Sequence, residues 1–223
     1  MLHAVIRLVP LAVFCSLSRT VSQYGYAPLA GLGVYVGIVL VGLALHVSLT
    51  FQGWLIAYAR VPLATFWKAA REPLVYALGT NSSLATLPLT LEALTKLRVS
   101  KTASALGACV GTNLNNDGIV LYEGLALLFV AQAMGFELTL SEQVLASVSC
   151  IVAAMGVAGI PEAGFVSLAL VLNTVGLSVE LLPLLLGVDW VIARARSATN
   201  VLSDMVLSIL VDRSLSPASK QAT

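Results

Sequence analysis

The stretch "GTNLNNDG" at residues 111–118 interrupts a long apolar run with three asparagines, one aspartate and two glycines. Asparagine, aspartate and glycine favour turns and helix ends over helix interiors. The stretch therefore predicts a break between two helical segments. What such a polar break can do depends on the medium that surrounds it.

The composition predicts that this medium is a lipid bilayer. Hydrophobic residues make up 58% of the 223 positions and charged residues only 10%, against about 25% charged residues in ordinary soluble domains. Residues 20–59 contain no Asp, Glu, Lys or Arg, and a helix needs about 20 apolar residues to cross the hydrocarbon. We therefore expect an all-α polytopic membrane protein with two membrane helices in residues 1–59. The net charge of +1 favours no nucleic-acid partner.

Basic residues indicate which parts of the chain face the cytoplasm. They gather in two polar stretches, residues 60–71 and 96–101, and the positive-inside rule places both in the cytoplasm. Residues 72–95 must then enter the membrane and return. Without the polar tip at 79–86 each arm has about eight residues, or about 12 Å of helix. Residues 60–100 are therefore predicted to be a cytoplasmic linker followed by an inner re-entrant hairpin.

A second hairpin is predicted from the opposite side of the membrane. Residues 136–143 and 178–180 contain glutamates but no Lys or Arg, which favours the outside. The tip "GVAGIPEAG" at 156–164 has three glycines and a proline, which break a helix. The remaining arms of about 12 to 14 residues are too short to span comfortably. Residues 136–179 are therefore predicted to be an outer re-entrant hairpin.

Each predicted hairpin precedes a membrane helix that carries polar residues. These helices are residues 101–135, which contain the break, and residues 180–213, which a polar tail at 214–223 follows. This order predicts an inverted structural repeat, a feature of many secondary transporters. Irregular backbone at membrane depth is tolerated only inside protein or beside water, so both tips and the break predict one polar cavity.

The last helix contains a polar stripe. Asp189, Arg196, Asn200 and Asp204 are spaced i, i+7, i+11 and i+15, which places them on one face. A charged side chain at the bilayer centre costs about 2.5–3.5 kcal/mol on insertion scales, so the stripe should face a cavity. Arg196 is a candidate donor to a substrate carboxylate; the alternative is an internal ion pair with Asp189 or Asp204. Arg194 lies on the opposite side.

Two further groups of residues are candidate ligands. Asp117 and Asp204, together with Asn115 beside the break, suit a hard cation that takes oxygen ligands; helix capping is the alternative for Asp117 alone. Ser82 and Ser83, near the N-terminus of a half-helix, are a candidate cradle for a carboxylate. Turn formation is the alternative for these serines.

Four motifs in a fixed order make the chain similar to a known family. They are "GTNSSLATLP" (79–88), "NNDG" (115–118), "AAMGVAGIPEAG" (153–164) and "VDW…R…TNVLSD" (188–204). Over about residues 3–213 the chain resembles the later half of the dicarboxylate/amino acid:cation symporters, the glutamate-transporter-like proteins. The resemblance implies two hairpins that act as gates and a helix unwound at the membrane midplane. It also implies an elevator-type transport domain that moves against a trimeric scaffold.

The resemblance implies roles for individual residues. The positions that match substrate contacts are Ser82, Ser83, Gly159, Arg196 and Asn200. The positions that match sodium ligands are Asn115, Asp117, Asn200 and Asp204. The implied coupling ion is Na⁺, with H⁺ as an alternative, and no other cofactor is implied.

The chain departs from the family pattern at four positions. Ala193 stands where amino-acid-transporting relatives have an acid that holds the substrate ammonium. Because an unpaired buried charge is penalised, a C4-dicarboxylate such as succinate, fumarate or malate fits better than glutamate or aspartate. Asn116 and Ile119 replace a methionine and a threonine, so one sodium site loses a sulfur contact and the pocket loses a hydroxyl. Glu162 adds a charge to the outer tip, either solvated or acting as a protonatable gate.

The expected function is sodium-coupled symport of a small carboxylate across a plasma membrane, specifically a bacterial inner membrane. The expected partners are the carboxylate, Na⁺ and the lipid bilayer, with a homotrimer if the scaffold is supplied. The alternative is a truncated or split, non-transporting fragment that needs a partner chain. No GxSxG motif or histidine cluster occurs, so we do not expect an enzyme.

Overall fold

A computed structural model describes residues 25–157 and 163–215, together with positions 14, 15, 18, 21 and 22. Within these residues every regular element is a helix, so the predicted all-α class is confirmed. Gly159 and Glu162 lie outside the described residues.

Eight helices follow one another in the described part of the chain. Helix α1 covers Ala27–Leu45 and continues to residue 59 through π-helical segments at His46–Phe51 and Leu55–Ala59. Helices α2 and α3 are Leu63–Thr80 and Ser83–Lys96. Helix α4 consists of Lys101–Ser104, a π-helical segment at Ala105–Val110, and Gly111–Leu114. The remaining helices are α5 (Asp117–Ala133), α6 (Leu140–Met155), α7 (Ala163–Thr174) and α8 (Leu182–Leu215).

Helices α2 and α3 form a hairpin whose first arm is longer than the sequence analysis predicts. Asn81, with a φ of 53°, ends α2, and the side chain of Ser82 caps α3 by accepting a hydrogen bond from the Ala85 amide at 3.1 Å. However, α2 has 18 residues where about eight were expected. The reason is that Lys68 and Arg71 belong to the helix and not to a preceding linker, since Lys and Arg are good helix formers.

The break that the sequence predicts at residues 111–118 lies at two asparagines. Helix α4 ends at Leu114 and α5 begins at Asp117. Between them Asn115 has φ −109° and ψ 67°, and Asn116 has φ −102° and ψ 52°. Both conformations are outside the helical region, so the main chain changes course here.

The described helices include two that are long and apolar enough to cross a membrane. They are Gly31–Ala59 and Lys101–Ala133, and the shorter helices Leu140–Met155 and Gly164–Thr174 are also apolar. Large apolar side chains on α1 and α6 point outward, among them Val34, Ile38, Val41, Val148 and Val152. Such a continuous apolar exterior is unusual for a soluble monomer and suits contact with lipid.

Two apolar clusters pack against different halves of α8. The first joins α1, α5, α6 and α7 to the beginning of α8, up to Ile192. The second joins the end of α1, α2, α3 and α4 to the later part of α8, from Leu202 onward. Between Ile192 and Leu202, α8 carries the buried side chains of Arg196 and Asn200. A polar layer therefore separates two apolar cores.

Candidate substrate and cation site

The predicted stripe on α8 is buried along its whole length. The exposed fractions of Asp189, Arg196, Asn200 and Asp204 are 1%, 4%, 3% and 2%. Arg194 lies on the opposite side, where it donates to the Trp190 carbonyl and its guanidinium is 5.7 Å from the Trp190 ring centroid. The helical spacing thus identified the inner face correctly.

Arg196 is enclosed by three helices. Its Nη1 atom donates to Oδ1 of Asp189 at 3.3 Å, and its Cζ atom lies 4.3 Å from the ring centroid of Tyr122 on α5. A Cβ atom on Gly164 of α7 would lie only 3.0 Å from Cζ. The ion pair with Asp189, the alternative considered for Arg196, is therefore present. Because a guanidinium has five N–H donors, this pair leaves donors for a second carboxylate.

Three of the four predicted cation ligands, Asn115, Asp117 and Asp204, lie together where the broken helix meets α8. The Asn115 amide donates to Ser203 Oγ at 2.9 Å and to Asp204 Oδ1 at 3.2 Å. Ser203 in turn donates to Asp117 Oδ2 at 2.8 Å. Ser203 is a member of this group that the sequence analysis missed, although it directly precedes Asp204. The carboxylate and hydroxyl oxygens suit a hard cation, whereas Asn115 turns its NH₂ group toward them.

His46 also contacts this group. Its Nε2 atom lies 3.1 Å from Asp117 Oδ2, and a cavity of 340 Å³ that Asn116 and Ala154 also line adjoins both side chains. The sequence places His46 in an apolar run 71 residues before Asp117, so no local pattern predicts this contact. Among the described residues no group of three or more His, Cys, Asp or Glu side chains could hold a metal ion.

The tip of the first hairpin is bonded to Ser197, the residue that follows Arg196 on α8. Asn81 Oδ1 accepts a hydrogen bond from Ser197 Oγ at 2.9 Å, and Ser83 Oγ accepts one from Thr112 Oγ1 at 3.2 Å. Ser82 and Ser83 are 5% and 4% exposed. The predicted substrate serines are thus buried at a tip that is bonded to both the broken helix and α8.

Asn200 ties α8 to the first turn of α5. Its Oδ1 atom accepts a hydrogen bond from the Gly118 amide at 2.8 Å, and its Nδ2 atom donates to Asn116 Oδ1 at 3.2 Å. A Cβ atom on Gly118 would lie 2.6 Å from the Arg196 carbonyl oxygen. Position 118 therefore requires glycine because the two helices approach so closely.

Glu123 is a second residue that the sequence analysis missed. It lies on α5 next to Tyr122, has an exposed fraction of 0%, and neither carboxylate oxygen accepts a hydrogen bond from a described residue within ordinary distance. Arg196 and Ser167 supply its polar surroundings. Burying a carboxylate in an apolar helix costs free energy unless a partner compensates its charge. A glutamate within the apolar run of α5 was therefore the sequence signal that pointed to Glu123.

Buried charges around a helix break in an otherwise apolar helical chain are typical of membrane transporters. The chain belongs to the sodium:dicarboxylate symporter family, which it matches over residues 1–214. The family resemblance found in the sequence is thereby confirmed. Because this is a family of symporters, the expectation that the chain is not an enzyme is confirmed as well.

Individual relatives support the same family. The chain is 36% identical over 182 residues to excitatory amino acid transporter 1 of Ambystoma tigrinum, with 81% of this chain and 34% of that protein covered. It is 38% identical over 192 residues to excitatory amino acid transporter 4 of Mus musculus, with 81% and 32% covered. For excitatory amino acid transporter 3 of Mus musculus the identity is 36% over 183 residues, with 82% and 35% covered. The chain thus spans about a third of the length of these relatives.

Proposed function

We propose that this chain forms the substrate- and ion-binding part of a sodium-coupled symporter for small carboxylates in a plasma membrane. The observation that carries the proposal is the buried polar layer between the two apolar clusters. In this layer the Arg196 guanidinium pairs with Asp189, and the next residue, Ser197, bonds to Asn81 at the tip of the first hairpin. The acids Asp117 and Asp204 lie at the helix break beside it. One arrangement thus offers donors for an anion and oxygen ligands for a cation.

The proposed architecture follows the order of the elements. Hairpin α2–α3 enters from the cytoplasm and precedes the broken helix of residues 101–135; hairpin α6–α7 enters from outside and precedes α8. Together they form the two inverted repeats, and the transport domain moves like an elevator. The packing of α8 against both apolar clusters supports this arrangement. In the whole transporter, this domain moves against a homotrimeric scaffold that stays fixed.

The proposed substrate is a C4-dicarboxylate. One carboxylate binds the Arg196 guanidinium and the other binds Asn200 together with the hairpin N–H groups near Ser82 and Ser83, with Gly159 at the outer tip. Ala193 is fully buried on the same helix, one turn before Arg196, and supplies no charge for a substrate ammonium. The relatives are named as amino acid transporters. The proposed preference for a C4-dicarboxylate over an amino acid therefore depends on Ala193.

The proposed coupling ion is Na⁺, with Asn115, Asp117, Asn200 and Asp204 as its ligands. A negatively charged substrate, the buried Asp204 and the partly exposed Asp117 repel one another, so a bound cation stabilises the loaded state. A proton is the second candidate ion. Glu123 supports it, because a buried carboxylate without a hydrogen-bond partner among the described residues is satisfied by a bound proton or cation.

Ligand-dependent thermal stability of the purified chain in lipid nanodiscs tests the proposal. A ligand that binds only the folded state stabilises it by about 2.7 kcal/mol at 100 times its Kd. We expect succinate to raise the unfolding temperature in sodium buffer and not in choline buffer. Folded protein that responds to neither sodium, succinate nor aspartate would overturn the proposal. Binding is the right measurement here because every residue proposed above as a ligand belongs to this chain.

A further inference from the structure

The amide of Asn116 lies among main-chain carbonyl groups. Its Nδ2 atom is 3.0 Å from the carbonyl oxygen of Asn113, 2.9 Å from that of Ala154 and 3.3 Å from that of Val157. Its Oδ1 atom accepts a hydrogen bond from Asn200 at 3.2 Å. With an exposed fraction of 2%, the side chain is sealed between the helix break, the end of α6 and α8.

These neighbours determine the orientation of the amide. If the nitrogen and oxygen were exchanged, Oδ1 would face three carbonyl oxygens and Nδ2 would face the amide hydrogens of Asn200. Neither contact is a hydrogen bond, because carbonyl oxygens only accept and an NH₂ group only donates. The NH₂ group therefore points at the three carbonyls.

Three converging carbonyl oxygens are the kind of ligand set that a hard cation takes. Two of them, from Ala154 and Val157, belong to the last turn of α6 and the residues just after it. Carbonyl groups at a helix C-terminus lack intrahelical partners and carry the negative end of the helix dipole. A partial positive charge at this point therefore holds the end of α6 against the broken helix.

We infer that the NH₂ group of Asn116 occupies the position of a cation at these three carbonyls, so that the end of α6 is held to the broken helix with one fewer bound ion. The inference rests on the proposed sodium-coupled function and concerns a place separate from the Asp117–Asp204 group. Methionine, which the family motif has at this position, has no N–H group and cannot make these bonds. Asn116 thus supplies a permanent hydrogen-bonded link at this place that needs no ion.

Sodium-binding stoichiometry tests the inference. Equilibrium binding of radioactive Na⁺ is measured on the full chain in nanodiscs for the wild type, Asn116→Ala and Asn116→Met. Both changes leave the three carbonyls in place and remove the NH₂ group, so each variant should bind one more Na⁺ per chain than the wild type. Asn113→Ala is the matched control: its side chain is exposed, its carbonyl is retained, and its stoichiometry should equal that of the wild type.

The outcomes separate the inference from the proposed function. If the wild type binds Na⁺ and both folded Asn116 variants bind the same number, the inference is wrong and the proposed function stands. If no form binds Na⁺, both are wrong. A second measurement needs only the wild type: hydrogen exchange of residues 150–157 should be equally slow with and without Na⁺. A large slowing on addition of Na⁺ would show that an ion, and not Asn116, holds the end of α6.

Discussion

Arg196 and Asp189 are bonded to each other across two turns of α8, with Nη1 of the arginine 3.3 Å from Oδ1 of the aspartate. Both side chains are almost fully buried. Asp189 neutralises the guanidinium when no anion is bound and orients its fork. In the proposed function, a substrate carboxylate binds to an arginine that is already positioned, which lowers the entropic cost of binding.

The first prediction concerns the fork of Arg196. Arg196→Lys keeps the charge but replaces two parallel N–H donors with a single ammonium group. We expect succinate affinity to fall about 10- to 100-fold, which corresponds to about 1.4 to 2.8 kcal/mol, while Na⁺ binding persists. Calorimetric titration measures both. Arg194→Lys, on the opposite face of α8, is the control and should bind succinate like the wild type. Equal succinate affinity in the two variants would exclude Arg196 as the anion ligand.

Local sequence patterns predict some contacts of this site but not others. The spacing of Asp189, Arg196 and Asp204 on one helix predicted their shared face, because helical periodicity is a local property. The two non-helical asparagines were likewise expected from their side chains. By contrast, His46 meets Asp117 across 71 positions, a contact that depends on how α1 packs against α5. Such contacts are set by tertiary packing, which no short pattern encodes.

In the first hairpin, a local sequence pattern predicts the wrong starting residue for a helix. The charges of Lys68 and Arg71 are typical of the membrane surface and predict a loop there. Both residues can extend a helix beyond the apolar region, and α2 therefore begins at Leu63. Helix propensity, and not charge, thus determines where α2 starts. No sequence pattern predicts the Asn116 contacts either, because their acceptors are the main-chain carbonyls of Asn113, Ala154 and Val157, which any residue type could supply.

The second prediction concerns substrate choice at position 193. Ala193→Asp adds a carboxylate one turn before Arg196, at a fully buried position, where it can pair with a substrate ammonium. We expect the ratio of aspartate to succinate affinity to rise about tenfold or more, equivalent to about 1.4 kcal/mol. The ratio is measured by ligand-dependent unfolding temperatures. Ala195→Asp, on the neighbouring apolar side of α8, should not raise it. An unchanged ratio in folded Ala193→Asp would remove the basis for preferring a C4-dicarboxylate.

The third prediction concerns the cation. Asp204→Asn keeps the size of the side chain and its acceptor for Asn115, but removes one negative charge from the group at the helix break. We expect Na⁺ affinity to fall by about tenfold or more, since a cation loses a charged oxygen ligand. Radioactive Na⁺ binding measures the change. Asp212→Asn, two turns later on α8 and bonded to the Ser100 amide, is the control. A loss of Na⁺ binding of the same size in both variants would point to damage to α8 and not to loss of a ligand.

The fourth prediction concerns the close contact between α5 and α8. Gly118→Ala places a methyl group 2.6 Å from the carbonyl oxygen and 3.1 Å from the Cα atom of Arg196. Because these are main-chain atoms, they cannot rotate away, and α5 must shift. We expect a loss of about 1 to 3 kcal/mol in the free energy of unfolding, as for other overpacked sites, together with weaker succinate binding.

Gly124→Ala is the matched control for this change, because it lies on the same helix and a Cβ atom there would meet nothing within 4 Å. It should raise the stability of α5 by about 0.5 to 1 kcal/mol, as glycine-to-alanine changes in helices do. Unfolding temperatures of the two variants in the same nanodiscs give the comparison. If Gly118→Ala unfolds at the wild-type temperature or above it, α5 and α8 are not held in the close contact on which the geometry of Asn200 and Arg196 depends.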